Sequence, residues 1–223
     1  MDNFRILEIK KGVFEGNDRA AGLLRARLRR EGVFLLNLMS SPGSGKTTTI
    51  LRTIEALGKE LNIGILEADL DSDVDARTVA RAGARVIQLH SGGMCHLDAE
   101  MTSQGLEGLG IAGLDLVILE NIGNLICTAE FDTGASRQAM ILSVPEGDDK
   151  PLKYPPMFKA VDLVLVNKMD AVSCFDFDLE AFKARVAKLN PGARILPISA
   201  KTGEGMEAWA SWLREEVTNW KKA

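Results

Sequence analysis

At 223 residues, 46% of them hydrophobic and 26% charged, the chain has the profile of a globular protein with room for a buried core and little for long disorder. A net charge of −4 excludes the basic surface that nucleic-acid phosphates select, and the apolar runs are too short and too often broken by charge to cross a bilayer, so neither nucleic acid nor membrane is expected as a partner. Three scattered cysteines form no disulfide framework, and the start MDNFRILEIKKG has neither the apolar run nor the cleavage site of a secretory signal, so a cytoplasmic location is expected.

A helical period runs over 18–30, within an N-terminal helical extension of about residues 1–31, and its basic cluster RARLRR at 25–30 is expected on a solvated face. The first strand is predicted at 33–40, then a helix at 46–61, a strand at 63–70, a helix at 73–82, a strand at 85–90 and a helix at 97–109. Strands follow at 114–121, 137–144 and 161–168, then a helix at 178–189, a strand at 193–200 and a last helix at 205–221. This alternation predicts a single α/β domain over 1–223, a doubly wound, mostly parallel sheet flanked by helices; several strands are apolar almost throughout, as burial on both faces demands. Ligands of such a sheet gather beyond the carboxyl ends of its strands.

The strand at 33–40 runs into SSPGSGKTTT (40–49), which resembles the P-loop G-x-x-x-x-G-K-[ST] with Ser40 where the first glycine belongs. Gly43, Ser44 and Gly45 let backbone N–H groups curl around phosphates at a helix N-terminus, Lys46 reaches the β- and γ-phosphates, and Thr47, followed by Thr48, offers a hydroxyl to Mg²⁺. Ser40 bears only on the geometry of entry into the loop. Asn167, Lys168 and Asp170 form NKMD at a strand end and look like the N-K-x-D element of guanine-binding proteins. The Asp170 carboxylate can accept from the guanine N1–H and 2-amino group, whereas adenine presents an acceptor at N1 and no 2-amino group. SAK, at Ser199, Ala200 and Lys201, resembles the element whose backbone contacts the guanine oxygen. Together these motifs predict GTP binding.

Two acids complete the phosphate side: Asp69 in LEADLDSDVDAR, expected to hold Mg²⁺ or position water, and Glu120 in ENIG, where Gly123 would bring an N–H to the γ-phosphate. A solvated strand-end carboxylate is the alternative for each acid. The candidate catalytic residues are therefore Lys46, Asp69, Glu120 and Gly123, with no arginine finger to be picked out, so slow intrinsic hydrolysis is expected.

GGMCHLDAEM (92–101) sets Cys95 beside His96 in a chain with three cysteines and two histidines. One reading is a buried thiol beside a ring that packs or caps a helix start. The other is chelation: neighbours in a helix point about 100° apart, so the pair reaches one ion only from a loop or a frayed helix start, where the helix dipole would also favour the thiolate. With ENIGNLICTAEFD (120–132) and PEGDDKPLKYPPMF (145–158), this stretch resembles the HypB family of nickel-insertion GTPases of hydrogenase maturation, SIMIBI-class P-loop proteins, from about residue 18 to the end. The resemblance implies a GTP-hydrolysing nickel metallochaperone using GTP, Mg²⁺ and Ni²⁺, with Zn²⁺ possible at the same site, formed by Cys95, His96 and Cys127 at a subunit interface. It also implies a homodimer dependent on nucleotide or metal, with a nickel-binding accessory protein and a hydrogenase large-subunit precursor as partners.

Thr128 stands where that family usually has proline, which bears on loop rigidity more than on ligation. The family's N-terminal cysteine motif and histidine-rich tract are not found, so tight nickel storage there is not expected. Three ligands are too few for a closed zinc site, and a two-fold dimer would complete the shell. A γ-phosphate gripping Gly123 would pull on the loop bearing Cys127, making metal affinity depend on the nucleotide. The rivals are a urease-accessory-like nickel GTPase, a GTP-regulated protein switch with structural cysteines, and a zinc-storage protein with a vestigial nucleotide site. His90 is expected as a core or strand-end histidine, Met94 and Met101 in the core, and Cys174 as a packed thiol; Trp209, Trp212 and Trp220 lie on the last helix at near-helical spacing, and packing against the sheet explains at least the first two.

Overall fold

The computed structural model describes residues 4–8, 16–69 and 74–222, with side chains from 16–68 and 77–222. In chain order the elements are β1 (Phe4–Glu8), α1 (Asn17–Glu31), β2 (Phe34–Ser40), α2 (Lys46–Leu57), β3 (Ile63–Asp69), α3 (Val74–Arg81), β4 (Arg85–His90) and α4 (Ala99–Leu109). They continue with β5 (Leu116–Glu120), β6 (Arg137–Ser143), α5 (Lys150–Lys153), α6 (Pro155–Ala160), β7 (Leu163–Asn167), α7 (Leu179–Leu189), β8 (Arg194–Pro197) and α8 (Met206–Lys222). The strands form one sheet in the order β1-β4-β3-β5-β2-β6-β7-β8. Every pairing is parallel, so the expected "mostly parallel" sheet is parallel throughout the described residues. Seven of the eight strands and the six longer helices are those predicted, with trimmed ends.

Three departures have local causes. β1 was not expected; it is a five-residue edge strand beside β4, inside the segment read as a helical extension. An edge strand has no neighbour on one side and so needs no continuous apolar run to announce it. The helix expected to reach residue 61 stops at Leu57, where Gly58 caps it and donates to the Ile54 carbonyl. Helices α5 and α6 each carry proline in the first turn, where its missing N–H is harmless.

α1 is tied into the body. Asn17 donates through Nδ2 to the Asp132 carbonyl (3.0 Å) and accepts at Oδ1 from the Ala99 N–H (3.0 Å). Arg25, read as part of a solvated basic face, instead forks onto the Asp132 carboxylate at 2.6 and 2.8 Å and donates to the Ala135 carbonyl. Arg29 lies over the Trp220 ring, 4.2 Å from its centroid.

β2 is central, and all seven of its residues are buried. It delivers the chain to the start of α2, and α8 packs on α2 from outside. Trp209 is fully buried and donates through Nε1 to Thr53 Oγ1 (2.9 Å), which donates onward to the Thr49 carbonyl one turn earlier (2.7 Å). Trp209→Ala removes a whole ring and takes from that hydroxyl the donor it accepts from, so it is expected to cost about 3–5 kcal/mol of stability. Urea unfolding measures it, and a loss under about 1 kcal/mol would show that the ring is not part of the cooperative core.

Candidate nucleotide and metal sites

Beyond the end of β2, Gly43 (φ 73°) and Gly45 (φ 101°) take left-handed backbone angles that turn the loop back on itself. The α2 N-terminus has no side-chain cap, so its first N–H groups are free to face an anion. They face a cleft of about 400 Å³ lined by Gly43, Gly45, Lys46, Thr47 and Thr48 from the loop and helix, and by Glu67, Glu120 and Gly123 from β3 and the end of β5. Lys46 Nζ donates to Ser40 Oγ (2.9 Å), which donates to the Ser41 carbonyl (2.8 Å). The residue that replaces the first glycine thus fits in extended backbone and holds the lysine against the loop. Ser44 is buried, and its hydroxyl has no partner among the described residues.

Asp69 closes β3 in register with His90, and its side chain lies outside the described residues. Glu120 is buried on the cleft wall rather than solvated at the strand end. Glu67 is a buried wall residue that sequence reasoning missed; it lies in register with Glu120 across β3 and β5. Its signal was present: an acid inside the run IGILEADL, two residues before Asp69.

A second cleft of about 270 Å³ adjoins the first, sharing Gly45 and Thr48, and is lined by Asn167, Lys168, Asp170, Ala171, Ala200 and Lys201. Asn167 is buried and joins three motifs. Its Nδ2 donates to the Ser44 carbonyl (2.9 Å), and its Oδ1 accepts from the Lys168 N–H (2.7 Å) and the Ala200 N–H (3.0 Å). Lys168, at φ 65°, is the one non-glycine residue with positive φ among the described residues, and its Nζ donates to the Gly43 carbonyl (2.7 Å). Ser199 Oγ donates to Asp170 Oδ1 (2.7 Å) and accepts from the Thr202 N–H (3.1 Å), which fixes the carboxylate at the mouth of the cleft. Phosphate-sized and base-sized spaces are therefore continuous, with a carboxylate acceptor at the base end.

The cysteine–histidine stretch is a loop ahead of α4. The helix is capped by Asp98, whose carboxylate accepts from the Met101 N–H (2.8 Å), so Cys95 lies outside the reach of the helix dipole expected to activate it. Cys95 is exposed, and Cys127 is partly buried. The Cys127 thiol is pushed up from the ordinary cysteine value, chiefly by its side-chain hydrogen bond to Cys95, then by desolvation and the charges of Cys95 and Glu130. The two thiols are neighbours, although 32 positions separate them in the chain.

His96 is another matter. Its Nδ1 is 3.7 Å from Cys95 Sγ, but the ring is buried and stacked on Phe131 with centroids 3.5 Å apart. Among the described residues no three His, Cys, Asp or Glu side chains converge to hold a metal, so the predicted Cys95–His96–Cys127 set is not assembled within one chain. What one chain offers is a thiol pair with a histidine packed beside it. Cys174 is exposed, not the packed thiol expected, while Trp209, Trp212 and Trp220 are all buried.

The nucleotide-binding domain model of the CobW/HypB/UreG family matches residues 34–197. The chain is 44% identical to the hydrogenase maturation factor HypB of Azotobacter chroococcum mcd 1, over 95% of this chain and 70% of that protein. It is 40% identical to the HypB of Escherichia coli K12, over 97% and 74% respectively. The chain belongs to the HypB family. The crystal structure of HypB from Helicobacter pylori in complex with nickel superposes with a TM-score of 0.86 at 37% identity, covering 92% of this chain and 96% of that one.

As a HypB-family P-loop GTPase, the chain has two further site-adjacent residues that motif reading passed over. Glu146 accepts from Ser41 Oγ, from the Ser143 N–H (2.7 Å) and from Ser143 Oγ (2.8 Å), bracing the P-loop from the β6 side. Asn124 bonds to both cysteine loops. Glu146 had a local signal, the S-x-x-E capping box with Ser143, but its reach to Ser41 and that of Asn124 to Cys95 span 105 and 29 positions and are unmarked in a single sequence. No helix among the described residues is long and apolar enough to cross a membrane.

Proposed function

We propose that this HypB-family GTPase is a nickel metallochaperone of [NiFe]-hydrogenase maturation, acting in the cytoplasm as a homodimer whose assembly and metal affinity depend on bound nucleotide. Its partners in this reading are a nickel-binding accessory protein and the hydrogenase large-subunit precursor. The observation that carries the reading is that Asn124 bonds the turns of both Cys95 and Cys127, bringing the two thiols together at the end of the loop whose Gly123 walls the phosphate cleft. Two thiols give half a shell. A second copy related by a two-fold axis supplies the rest, and an ion shared this way is released when the copies part. Nickel is the cargo; Zn²⁺ suits the same thiols in tetrahedral geometry.

Hydrolysis follows from the cleft. Gly43, Ser44 and Gly45 and the start of α2 cradle the phosphates, Lys46 swings from Ser40 to the β- and γ-phosphates, and Gly123 offers its N–H to the γ-phosphate. Thr47 and Asp69 would hold Mg²⁺, which when bound neutralises charge on the phosphate oxygens. Glu120 on the cleft wall orients water. No arginine is among the described lining residues, so hydrolysis by the isolated chain is slow. Asp170, set by Ser199, selects guanine, and Asn167, Lys168, Ala200 and Lys201 frame the base beside Thr48.

The test is nickel titration of wild type and Cys95→Ala, in GDP and in a non-hydrolysable GTP analogue, with molecular mass followed in parallel. The expected result is a thiolate-to-nickel absorption band that Cys95→Ala removes and a change of at least about fivefold in nickel affinity between nucleotides, the low end of ordinary coupling free energies. Nickel bound without thiolates and indifferent to nucleotide would leave a GTP-regulated protein switch with structural cysteines.

A further inference from the structure

We infer that Asn124 is the positioning residue of the metal site: one carboxamide sets the Cys95 and Cys127 loops side by side and joins them to the nucleotide loop through Gly123. This deepens the metallochaperone reading and rests on it for the identity of the cargo.

The carboxamide has two ends, and each takes a different loop. Its Nδ2 donates to the carbonyl of Cys95 itself. Its Oδ1 accepts from the Ile126 N–H (3.1 Å) and, at longer range, the Thr128 N–H (3.4 Å), the two residues flanking Cys127. The Asn124 carbonyl in turn accepts from Thr128 Oγ1 (2.9 Å), and Thr128 is buried, so the turn carrying Cys127 is closed at both ends. Thr128 supplies an N–H and a hydroxyl that proline could not, so this chain replaces ring rigidity with hydrogen bonds to Asn124. On the other side, Gly123 lies against Pro42 of the P-loop so closely that an added Cβ would approach the Pro42 N, Cγ and Cδ to 3.2–3.3 Å. A shift of the P-loop at Pro42 therefore moves Gly123, and the next residue moves both thiols together. Such a contact outside the ligand set governs the spacing of ligands without touching the ion.

The two ends of the side chain can be separated. Asn124→Asp keeps the acceptor for the Cys127 turn and loses the donor to Cys95; Asn124→Ala loses both. The probe is phenylarsine oxide, which takes up a thiol pair only when both sulfurs reach one arsenic: two As–S bonds form, and the arsenic oxygen leaves as water with both thiol protons. The background is Cys174→Ser, which removes the third, exposed thiol.

Both Asn124 variants are expected to bind the arsenical, and nickel in GDP, about tenfold more weakly than the background, with an unchanged urea-unfolding midpoint as the report of an intact fold. Arsenical uptake equal to the background in both variants overturns the inference. If the variants lose the arsenical while the background binds nickel equally in GDP and the GTP analogue, Asn124 still positions the thiols and only the nucleotide gating proposed above fails. Rescue of the arsenical signal in Asn124→Asp but not Asn124→Ala would confine the role to the Cys127 turn and overturn the bridge to Cys95.

Discussion

Gly45→Ala is expected to lower GTP affinity by a hundredfold or more, a far larger loss than Gly43→Ala produces one turn of loop earlier. Both glycines have left-handed backbone angles, 73° and 101°, and an L-residue there costs about 1 kcal/mol or somewhat more at either position. What separates them is space. A Cβ at Gly43 meets nothing within 4 Å, whereas a Cβ at Gly45 falls on Nδ2 of Asn167. That nitrogen is the donor to the Ser44 carbonyl, and the same side chain receives the Lys168 and Ala200 N–H groups. Moving it leaves buried groups unpaired in the phosphate loop and in both guanine elements at once, about 1–3 kcal/mol for each group. Two such losses with the backbone strain exceed about 3 kcal/mol, which is a factor of a hundred in affinity. Isothermal titration with GDP and GTP on the two variants measures it; equal losses in Gly43→Ala and Gly45→Ala would sink the argument from Asn167.

That junction shows where a sequence stops being readable. GSGKTT, NKMD and SAK each announce themselves by local spacing after a strand, and the alternation of strands and helices places all three at one end of a parallel sheet. The bond from Asn167 to Ser44 spans 123 positions, and nothing local marks it. The same holds at the metal loops. Cys95 and His96 stand out because they are rare and adjacent, and they do touch, Sγ to Nδ1 at 3.7 Å, but their further partners, Cys127 for the thiol and Phe131 for the ring, are unmarked in the sequence. The His96 ring stacks on a partner 35 positions away, so the three ligands that the resemblance implies do not converge among the described residues of one chain. The helix start was legible to within two residues, since Asp98 is a plain N-cap, but that cap also takes the helix dipole away from Cys95. Glu67 was legible in principle. A carboxylate in the middle of a buried strand is costly unless it faces a polar space, and this one faces the phosphate cleft.

Asp170→Asn is expected to reverse base preference. In the wild type, Ser199 Oγ occupies Asp170 Oδ1 as a donor, which turns the carboxylate so that its acceptor face lies toward the base cleft. Guanine offers two donors there, N1–H and the 2-amino group. Asparagine keeps an oxygen for Ser199 and replaces the other acceptor with an NH₂, which meets the guanine 2-amino group donor to donor. Losing one charge-assisted bond and opposing two donors costs about 3 kcal/mol or more, a hundredfold in GTP affinity. Xanthine carries a carbonyl at position 2, so the same NH₂ finds an acceptor, and xanthosine triphosphate should bind Asp170→Asn better than GTP does. Asp170→Ala separates this from general damage: it removes both kinds of partner and should weaken both nucleotides. Competition of GTP and xanthosine triphosphate for a fluorescent nucleotide on the three proteins reads the result directly. Should Asp170→Asn keep its GTP affinity, the carboxylate is not the guanine reader, and selection would have to come from the backbone of Ala200 and Lys201, which Arg52 holds through its Nε and Nη2 donors to their carbonyls, each at 3.0 Å. Because α2 carries Arg52 as well as Lys46, that alternative would still tie base recognition to the phosphate loop, and Arg52→Ala would then weaken GTP where the scheme built on Asp170 expects little change.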